Sequence, residues 1–312
     1  MIPAFANKPR IVNAVSTMLV RPAAFVWPDN GPLEPVIQCA FILAEAPHRK
    51  QIDRMTSSFI QKLVLAIYRL PLINTLFRTR IGSSFYVVCY DIYKNVLEAA
   101  GSHAIANHIA PGTWAIDVGA NIGFFTERFA RWVKDGGRVI AVEPDAENLA
   151  LLRRRLAAAH LDCVDVHQAV AVEKSGSVRL QRNPQQPSDH RISDVGDPVA
   201  AVTLDELVEQ AGSPRIGLIK IDTQGSEHRV LAGASRTLRR CRPNLFIEID
   251  DGALRDSGAS AAQLIRQIQE HGYRFFTIAR NGDETLMPAD AILQAVASAK
   301  HGYINVLCVP AP

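Results

Sequence analysis

The sequence predicts a doubly wound α/β fold whose sheet is mostly parallel and includes a C-terminal antiparallel strand. From residue 112 onwards, short apolar runs alternate with helical stretches, beginning with WAIDVGA, FFTERFARWV, RVIAVEP and AENLALLRRRLAAA. Such alternation is typical of parallel strands joined by helices. With 312 residues, of which 48% are hydrophobic and 21% charged, the chain is long enough for one large domain and an extension.

The later elements continue this order along the chain. VDVHQAV is predicted as a third strand, and a hairpin is predicted around SGSVRLQRN. The next five segments alternate helix and strand: TLDELVEQ, IGLIKID, EHRVLAGASRTLRR, NLFIEID and AAQLIRQIQEHG. Two final strands near YRFFTI and YINVLCV complete the predicted sheet.

The N-terminal part is predicted to be an irregular and helical extension, residues 1–84, that precedes a domain at 85–312. Residues 57–77 are strongly apolar, but Lys62, Arg69 and Pro71 interrupt the run. A membrane-spanning helix needs about 20 uninterrupted apolar residues, so this segment is not expected to span a membrane. It is expected to pack on the domain or on a second subunit as a homo-oligomer contact, or to lie on a membrane surface.

Charge and cysteine content limit the classes of partner and compartment. The formal net charge of +3 at pH 7 is too small to indicate a nucleic-acid partner. The five cysteines are odd in number and form no CxxC pair, which is typical of buried thiols in a reducing compartment. We therefore expect a cytoplasmic protein without a metal centre or a disulfide framework.

The stretch DVGANIGFFT places two glycines at a turn between a buried strand and a helix. Gly119 and Gly123 are expected to let the backbone approach a ligand, and Asp117 ends the strand beside them. Glu143 follows Gly123 by 20 residues, at the end of RVIAVE, where a carboxylate can accept hydrogen bonds from both hydroxyls of a ribose. This combination predicts a nucleoside-containing ligand, although a tight turn alone would also explain the glycines.

The turn is poorly suited to a pyrophosphate. A nicotinamide site normally carries G-x-G-x-x-G, whereas this chain has G-A-N-I-G with Asp117 two residues before it. An acid at this place suits a cationic ligand without phosphate. S-adenosylmethionine, whose ammonium needs an acceptor, fits this requirement.

Five motifs, in this order and spacing, resemble the FkbM family of S-adenosylmethionine-dependent methyltransferases. They are DVGANIGFFT, VEPDAENLALL, VTLDEL, IKIDTQGSEHRVLAGA and RPNLFIEID. The resemblance covers roughly residues 85–280 and implies a Rossmann-like class I methyltransferase sheet. It also implies S-adenosyl-L-methionine as the cofactor and a hydroxyl oxygen of a sugar, glycan or secondary metabolite as the methyl acceptor.

The resemblance assigns roles to individual positions. It implies a first cofactor loop made of Asp117, Gly119, Asn121 and Gly123. It further implies that Glu143 holds the ribose and that Gln168 borders the adenine edge. Gln224 stands where the family often has an acid, so an acidic role is lost at that position. Asn121 has a structural alternative, because short polar residues also cap helices.

Three residues are predicted to act near the transferred methyl. Asp222 and Glu248 lie at the ends of IGLIKID and NLFIEID, and both are expected to face the cleft and orient the acceptor. His190, in the polar stretch PSDHRISD, is predicted to be the general base, because an imidazole titrates near neutral pH. Capping a helix is the alternative for Asp222, and a solvent-exposed loop position is the alternative for His190.

Three other interpretations stay open at this stage. A divalent metal held by Asp189, Asp222 and Glu248 is conceivable, but no spacing requires it, and no metal ligand is predicted. A nicotinamide-dependent oxidoreductase is disfavoured by the missing G-x-G-x-x-G. A non-catalytic protein that keeps the fold is disfavoured because Asp117, Glu143 and Asp222 are all present.

Overall fold

The computed structural model describes residues 101–181, 190–299 and 302–312, together with Val87, Tyr90, Asp91 and Lys94. The predicted extension at 1–84, including the apolar segment 57–77, lies outside the described residues. The predictions made for it, including the membrane-surface and homo-oligomer contacts, therefore stay predictions. None of the helices formed by the described residues is long and apolar enough to cross a membrane.

The described residues form twelve strands. The first six are β1 (Trp114–Val118), β2 (Val139–Val142), β3 (Val164–His167), β4 (Val170–Ala171), β5 (Gly176–Gln181) and β6 (Arg191–Ile192). The next six are β7 (Asp197–Val202), β8 (Ile216–Ile221), β9 (Asn244–Asp250), β10 (Tyr273–Ile278), β11 (Glu284–Met287) and β12 (Tyr303–Pro310).

Eight of these strands form the larger sheet, in the order β11-β10-β12-β9-β8-β1-β2-β3. Strands β9, β8, β1, β2 and β3 run parallel, whereas β12 pairs antiparallel with β9. The order reverses at β1, because the chain moves outwards to β3 and then returns to the other side of β1 as β8. The predicted doubly wound, mostly parallel sheet is confirmed. Of the two predicted final strands, β12 pairs antiparallel with β9 and β10 pairs antiparallel with β12, and β11, which was not predicted, extends this edge.

The α-helices cover both faces of this sheet. They are α1 (Phe124–Trp132), α2 (Ala146–Ala158), α3 (Leu204–Gln210), α4 (Glu227–Ala232), α5 (Ser235–Cys241), α6 (Asp251–Asp256), α7 (Ala261–Glu270) and α8 (Ala289–Ser298). A 3-10 helix, Ser102–His108, precedes β1. Four helices begin at a side chain that accepts a hydrogen bond from a first-turn amide, namely Asp145, Thr203, Asp250 and Ser260.

Two segments predicted as single elements are divided in the structure. VDVHQAV forms β3 in the larger sheet and β4 in a smaller one, with a break at Gln168. EHRVLAGASRTLRR forms α4 and α5, which are separated at Gly233. A Cβ at Gly233 would lie 2.0 Å from the carbonyl oxygen of Val172, so the chain can pass here only with a glycine. The predicted hairpin corresponds to β5, which pairs antiparallel with β6 and β7.

Candidate active site

A cavity of about 390 Å³ lies at the carboxyl ends of β1 and β8, where the strand order reverses. The loops after β1, β2 and β8 and the end of β9 line it, together with β4, β5 and β6 of the smaller sheet and Tyr303 of β12. Loops on either side of such a reversal diverge, which leaves space for a ligand between them. The predicted position of the site is therefore also the position of a cavity.

Both glycines of the first loop have a positive φ and face close neighbours within the protein, and their predicted contact with a ligand stays a prediction. A Cβ at Gly119, whose φ is 73°, would lie 1.8 Å from the carbonyl oxygen of Asp222. A Cβ at Gly123, whose φ is 88°, would lie 3.1 Å from Cγ of Leu152 on α2. Gly119 lines the cavity, but Gly123 is not among its lining residues. The spacing of the glycines thus reflects how the loop packs on its neighbours.

Glu143 lies at the end of β2 and lines the cavity, as predicted. Its Oε2 accepts a hydrogen bond from the backbone amide of Asn121 at 2.8 Å, and its Oε1 accepts one from the amide of Asp145 at 2.9 Å. The side-chain amide of Asn148 donates to Oε1 at 3.3 Å. Burial raises the pKa of Glu143 to about 7, although these three donors act in the opposite direction. The carboxylate is therefore held in a fixed orientation by the loops after β1 and β2.

Asp117 is completely buried and is not among the residues that line the cavity. Its Oδ2 accepts a hydrogen bond from Oγ1 of Thr126 at 2.6 Å, and its Oδ1 lies 3.3 Å from Nζ of Lys220. In place of the predicted contact with a ligand's ammonium, the Asp117 carboxylate joins β1 to α1 and to a buried lysine. Asp117 lies in β1, one residue before its end, and the direction of its side chain depends on partners from distant segments.

Lys220 connects the two loops that meet at the strand reversal. Its Nζ lies 3.5 Å from Oδ2 of Asp222, which is the ion pair that we expect from two residues on one face of a strand. The same ammonium donates to the carbonyl oxygen of Gly119 at 3.1 Å. Burial alone would lower the pKa of Lys220, but Asp117 and Asp222 outweigh burial and raise it above its ordinary value.

Asp222 and Glu248 both line the cavity, at the ends of β8 and β9, as predicted. Nε2 of Gln224 lies between them and donates to Oδ1 of Asp222 at 3.4 Å and to Oε1 of Glu248 at 3.3 Å. Burial would raise the pKa of Asp222, but the ammonium groups of Lys220 and Lys94 lower it below its ordinary value. The structure therefore brings the two predicted acceptor-side carboxylates together through a side chain that sequence analysis had set aside.

Glu227 organises the loop that carries these groups and is not among the cavity's lining residues. Its Oε1 accepts hydrogen bonds from the backbone and hydroxyl of Thr223, at 3.0 and 3.1 Å, and from the amide of Gly225 at 3.1 Å. Burial raises its pKa above the ordinary value. These contacts fix the turn between β8 and α4.

His190 lines the cavity, with Nε2 placed 3.6 Å from Oδ2 of Asp145. Asp145 caps α2 and follows Glu143 by two residues. The structure thus ties the predicted general base to the loop after β2, whereas Asp222 and Glu248 stand at the ends of β8 and β9. All three predicted catalytic residues share one cavity, but this ion pair links His190 to the side that carries Glu143.

Gln168 is exposed and is not among the lining residues, and the next two residues, Ala169 and Val170, line the cavity instead. The prediction that Gln168 borders the adenine edge stays a prediction. The break between β3 and β4 at Gln168 turns the following residues towards the cavity.

Tyr90 and Lys94 also line the cavity, and the sequence analysis did not identify them. Residues four apart share a face of a helix, so this spacing was the available signal. Asp91, next to Tyr90, contacts Arg155 of α2, and Arg155 also contacts Glu127 of α1. The contact between Asp91 and Arg155 thus fixes Asp91, next to Tyr90, against α2.

Among the described residues, no group of three or more His, Cys, Asp and Glu side chains is arranged to hold a metal ion. Asp189, which belonged to the alternative metal site of the sequence analysis, lies outside the part of the chain that the structure describes. The other two members, Asp222 and Glu248, are joined by the Gln224 amide.

Comparison with known proteins gives one family match. The sequence model of the family described as "Methyltransferase FkbM domain" matches residues 117–275, which is just over half of the 312 residues. No curated protein matches the chain.

Several solved structures are similar to the chain. The methyltransferase FkbM from Methylobacillus flagellatus KT is 21% identical, with a TM-score of 0.40, over 64% of this chain and 52% of that one. The chain thus spans about half the length of that protein. An rRNA methylase from Streptococcus thermophilus is 11% identical, with a TM-score of 0.40, over 67% and 93% of the two chains. A proposed methyltransferase from Streptococcus mutans, in complex with SAH, is 10% identical, with a TM-score of 0.39, over 66% and 93%.

Proposed function

This chain belongs to the FkbM family of methyltransferases, and we propose that it transfers a methyl group from S-adenosylmethionine to a hydroxyl oxygen. The family match agrees with the resemblance that five sequence motifs had indicated. The observation that carries the proposal is Glu143, a buried carboxylate that lines the cavity at the end of β2. The finer choice of a sugar, a glycan or a secondary metabolite as the acceptor is part of the proposal.

The residues of the cavity fit the chemistry of S-adenosylmethionine. The nucleoside part carries two ribose hydroxyls that need acceptors, and the carboxylate of Glu143 lies on the cavity wall with acceptor capacity left on Oε2. Asn121, in the loop after β1, also lines the cavity. When bound, the cofactor supplies a methyl group on a sulfonium centre, ready for attack by an oxygen.

The chain's own contribution is to position the acceptor and remove a proton. Asp222 and Glu248 accept hydrogen bonds from the acceptor and orient its hydroxyl oxygen in line with the methyl donor. His190 takes the proton of the attacking hydroxyl, since an imidazole is a competent base near neutral pH. Lys220, buried between Asp117 and Asp222, keeps the carboxylate of Asp222 ionised and oriented.

The proposal is tested by binding and by transfer. Mass spectrometry of the purified full-length protein should detect co-purified S-adenosylmethionine or S-adenosylhomocysteine, and calorimetry should detect S-adenosylhomocysteine binding but no NADH binding. Transfer of a labelled methyl group is then measured on a panel of hydroxylated acceptors. Binding of NADH without S-adenosylhomocysteine would support the oxidoreductase alternative. Binding of S-adenosylhomocysteine without transfer to any acceptor would support the non-catalytic alternative.

A further inference from the structure

Gln224 lies at the cavity, where its side-chain amide contacts two carboxylates. It lies in the loop after β8 with a φ of 54°, in the left-handed region. Its side chain lines the cavity between Asp222 of β8 and Glu248 of β9. A side-chain amide nitrogen carries two hydrogens, and here one is directed to each carboxylate. The opposite orientation would place the amide oxygen against two carboxylates, so the charges on both sides determine which atom faces them.

The contact places a hydrogen-bond donor between two neighbouring carboxylates. Neighbouring carboxylates that lack a donor between them tend to take up a proton, because like charges repel. The Gln224 amide supplies a donor to each, and Lys220 contacts Asp222 from the other side. A carboxylate can accept about four hydrogen bonds, and both carboxylates line the cavity where a ligand can reach them.

The placement of the two carboxylates indicates what they recognise. They lie at the ends of neighbouring parallel strands, and such strands are about 4.8 Å apart, so one small molecule can donate to both. Two ammonium groups, those of Lys220 and Lys94, already act on Asp222 and lower its pKa. Neutral hydroxyl donors therefore suit this place better than a further cation.

We infer that Gln224 is a positioning residue that holds Asp222 and Glu248 as a pair of acceptors for two hydroxyls of one polyhydroxylated molecule, such as a sugar ring. The inference rests on the proposed function and specifies its acceptor class. It assigns Gln224 no contact with the reacting atoms. Its effect is to keep both carboxylates directed at the same ligand.

The test compares Gln224→Met and Gln224→Glu with wild type and with Gln269→Met, a change at an exposed position of α7. Methionine keeps the length of the side chain and removes both donors, and neither variant changes the backbone preference for a positive φ. The full-length proteins are saturated with S-adenosylhomocysteine. Binding of a panel of methyl glycosides is then followed by ligand-observed NMR.

We expect at least one glycoside to bind wild type and Gln269→Met and to bind Gln224→Met about 10- to 100-fold more weakly, the range for losing hydrogen bonds to charged groups. Affinity for S-adenosylhomocysteine should stay within about twofold in all variants, because none of them changes the Glu143 end of the cavity. If Gln224 had only a structural role, its replacement would weaken the binding of the glycoside and of S-adenosylhomocysteine together. Equal glycoside binding by wild type and Gln224→Met, or binding of no glycoside, would overturn the inference.

Titration with Mn²⁺ provides the second measurement. Gln224→Glu places a third carboxylate between two others and should gain Mn²⁺ affinity over wild type by about tenfold or more, since Mn²⁺ prefers oxygen ligands. If wild type binds Mn²⁺ as tightly as Gln224→Glu does, and Asp222→Asn loses this binding, the Gln224 amide presents its oxygen to the site. The inference would then be wrong. Failure of wild type to bind S-adenosylhomocysteine would instead contradict the proposed function itself.

Discussion

The two ends of the cavity are held by different kinds of contact. At the Glu143 end, the carboxylate accepts hydrogen bonds from the backbone amides of Asn121 and Asp145. At the Asp222 end, the carboxylate contacts two side chains, those of Lys220 and Gln224. Backbone donors persist when neighbouring side chains change, whereas side-chain donors are lost with a single substitution. The Glu143 end is thus held mainly by the backbone, and the Asp222 end is held by side chains.

The strongest test of this comparison removes the residue that joins the ends. Lys220→Met leaves the buried carboxylates of Asp117 and Asp222 without their shared ammonium. We expect the free energy of unfolding to fall by about 3 to 5 kcal/mol, the usual cost of breaking a buried ion pair from one side. Urea unfolding measures it, with the exposed Lys174→Met as the control. A loss no larger than that of the control would mean that the ends are independent.

The second test asks to which end His190 belongs. If it is the general base, His190→Ala should lower kcat by about 10² to 10⁴ and leave the affinity for S-adenosylhomocysteine near wild type. The acidic limb of the rate profile near pH 6 to 7 should also disappear, because this is about where an imidazole titrates. The measurement is turnover against pH on an acceptor identified in the labelled-methyl assay.

The contact between His190 and Asp145 provides the alternative role that this test must exclude. If His190 only ties the smaller sheet to the loop after β2, the alanine variant should bind S-adenosylhomocysteine more weakly and keep its kcat and pH profile. His103→Ala, at an exposed position of the 3-10 helix, serves as the control for removing a histidine.

Backbone-determined features were accessible from the sequence. The alternation of strand and helix predicted the order of the sheet, because burial and chain direction repeat along these elements. Glu143 and Asp222 were placed correctly, since each directly ends or follows a parallel strand and all such ends share one edge. The break at Gln168 was missed, because VDVHQAV shows no glycine or proline to mark it.

Side-chain directions were less accessible, because they depend on partners that are distant in the sequence. Asp117 is turned away from the cavity by Lys220, which lies more than 100 residues later in the chain. Gly119 is required by a carbonyl oxygen of Asp222, which no local pattern reveals. Gln224 was set aside as a lost acid, yet its amide contacts both acceptor-side carboxylates. Pairwise contacts across loops were therefore the part that the sequence alone did not predict.

The third test concerns the Glu143 end alone. Glu143→Ala should weaken binding of S-adenosylhomocysteine by about 1 to 3 kcal/mol, because two ribose hydroxyls lose a charged acceptor. Asp222→Asn, at the other end, should change this affinity less. Calorimetry on both variants and on the exposed Glu270→Ala measures the difference. Equal losses in the Glu143 and Asp222 variants would contradict the division of the cavity into two ends.

The smallest expected effect is a pH dependence of stability that comes from the same carboxylate. Burial raises the pKa of Glu143 to about 7, from an ordinary value of 4.5. Between these two values the folded protein binds more protons at this site than the unfolded chain does, so this group lowers stability as pH rises, by at most about 1.4 kcal/mol per pH unit. Glu143→Gln cannot ionise and should lose this slope, whereas Glu270→Gln should keep it. Urea unfolding without added cofactor at pH 5, 6 and 7 measures the slope in all three proteins. Parallel slopes in wild type and Glu143→Gln would mean that the backbone amides of Asn121 and Asp145 already offset the burial of the carboxylate, and the Glu143 end would then need no ligand to hold its charge.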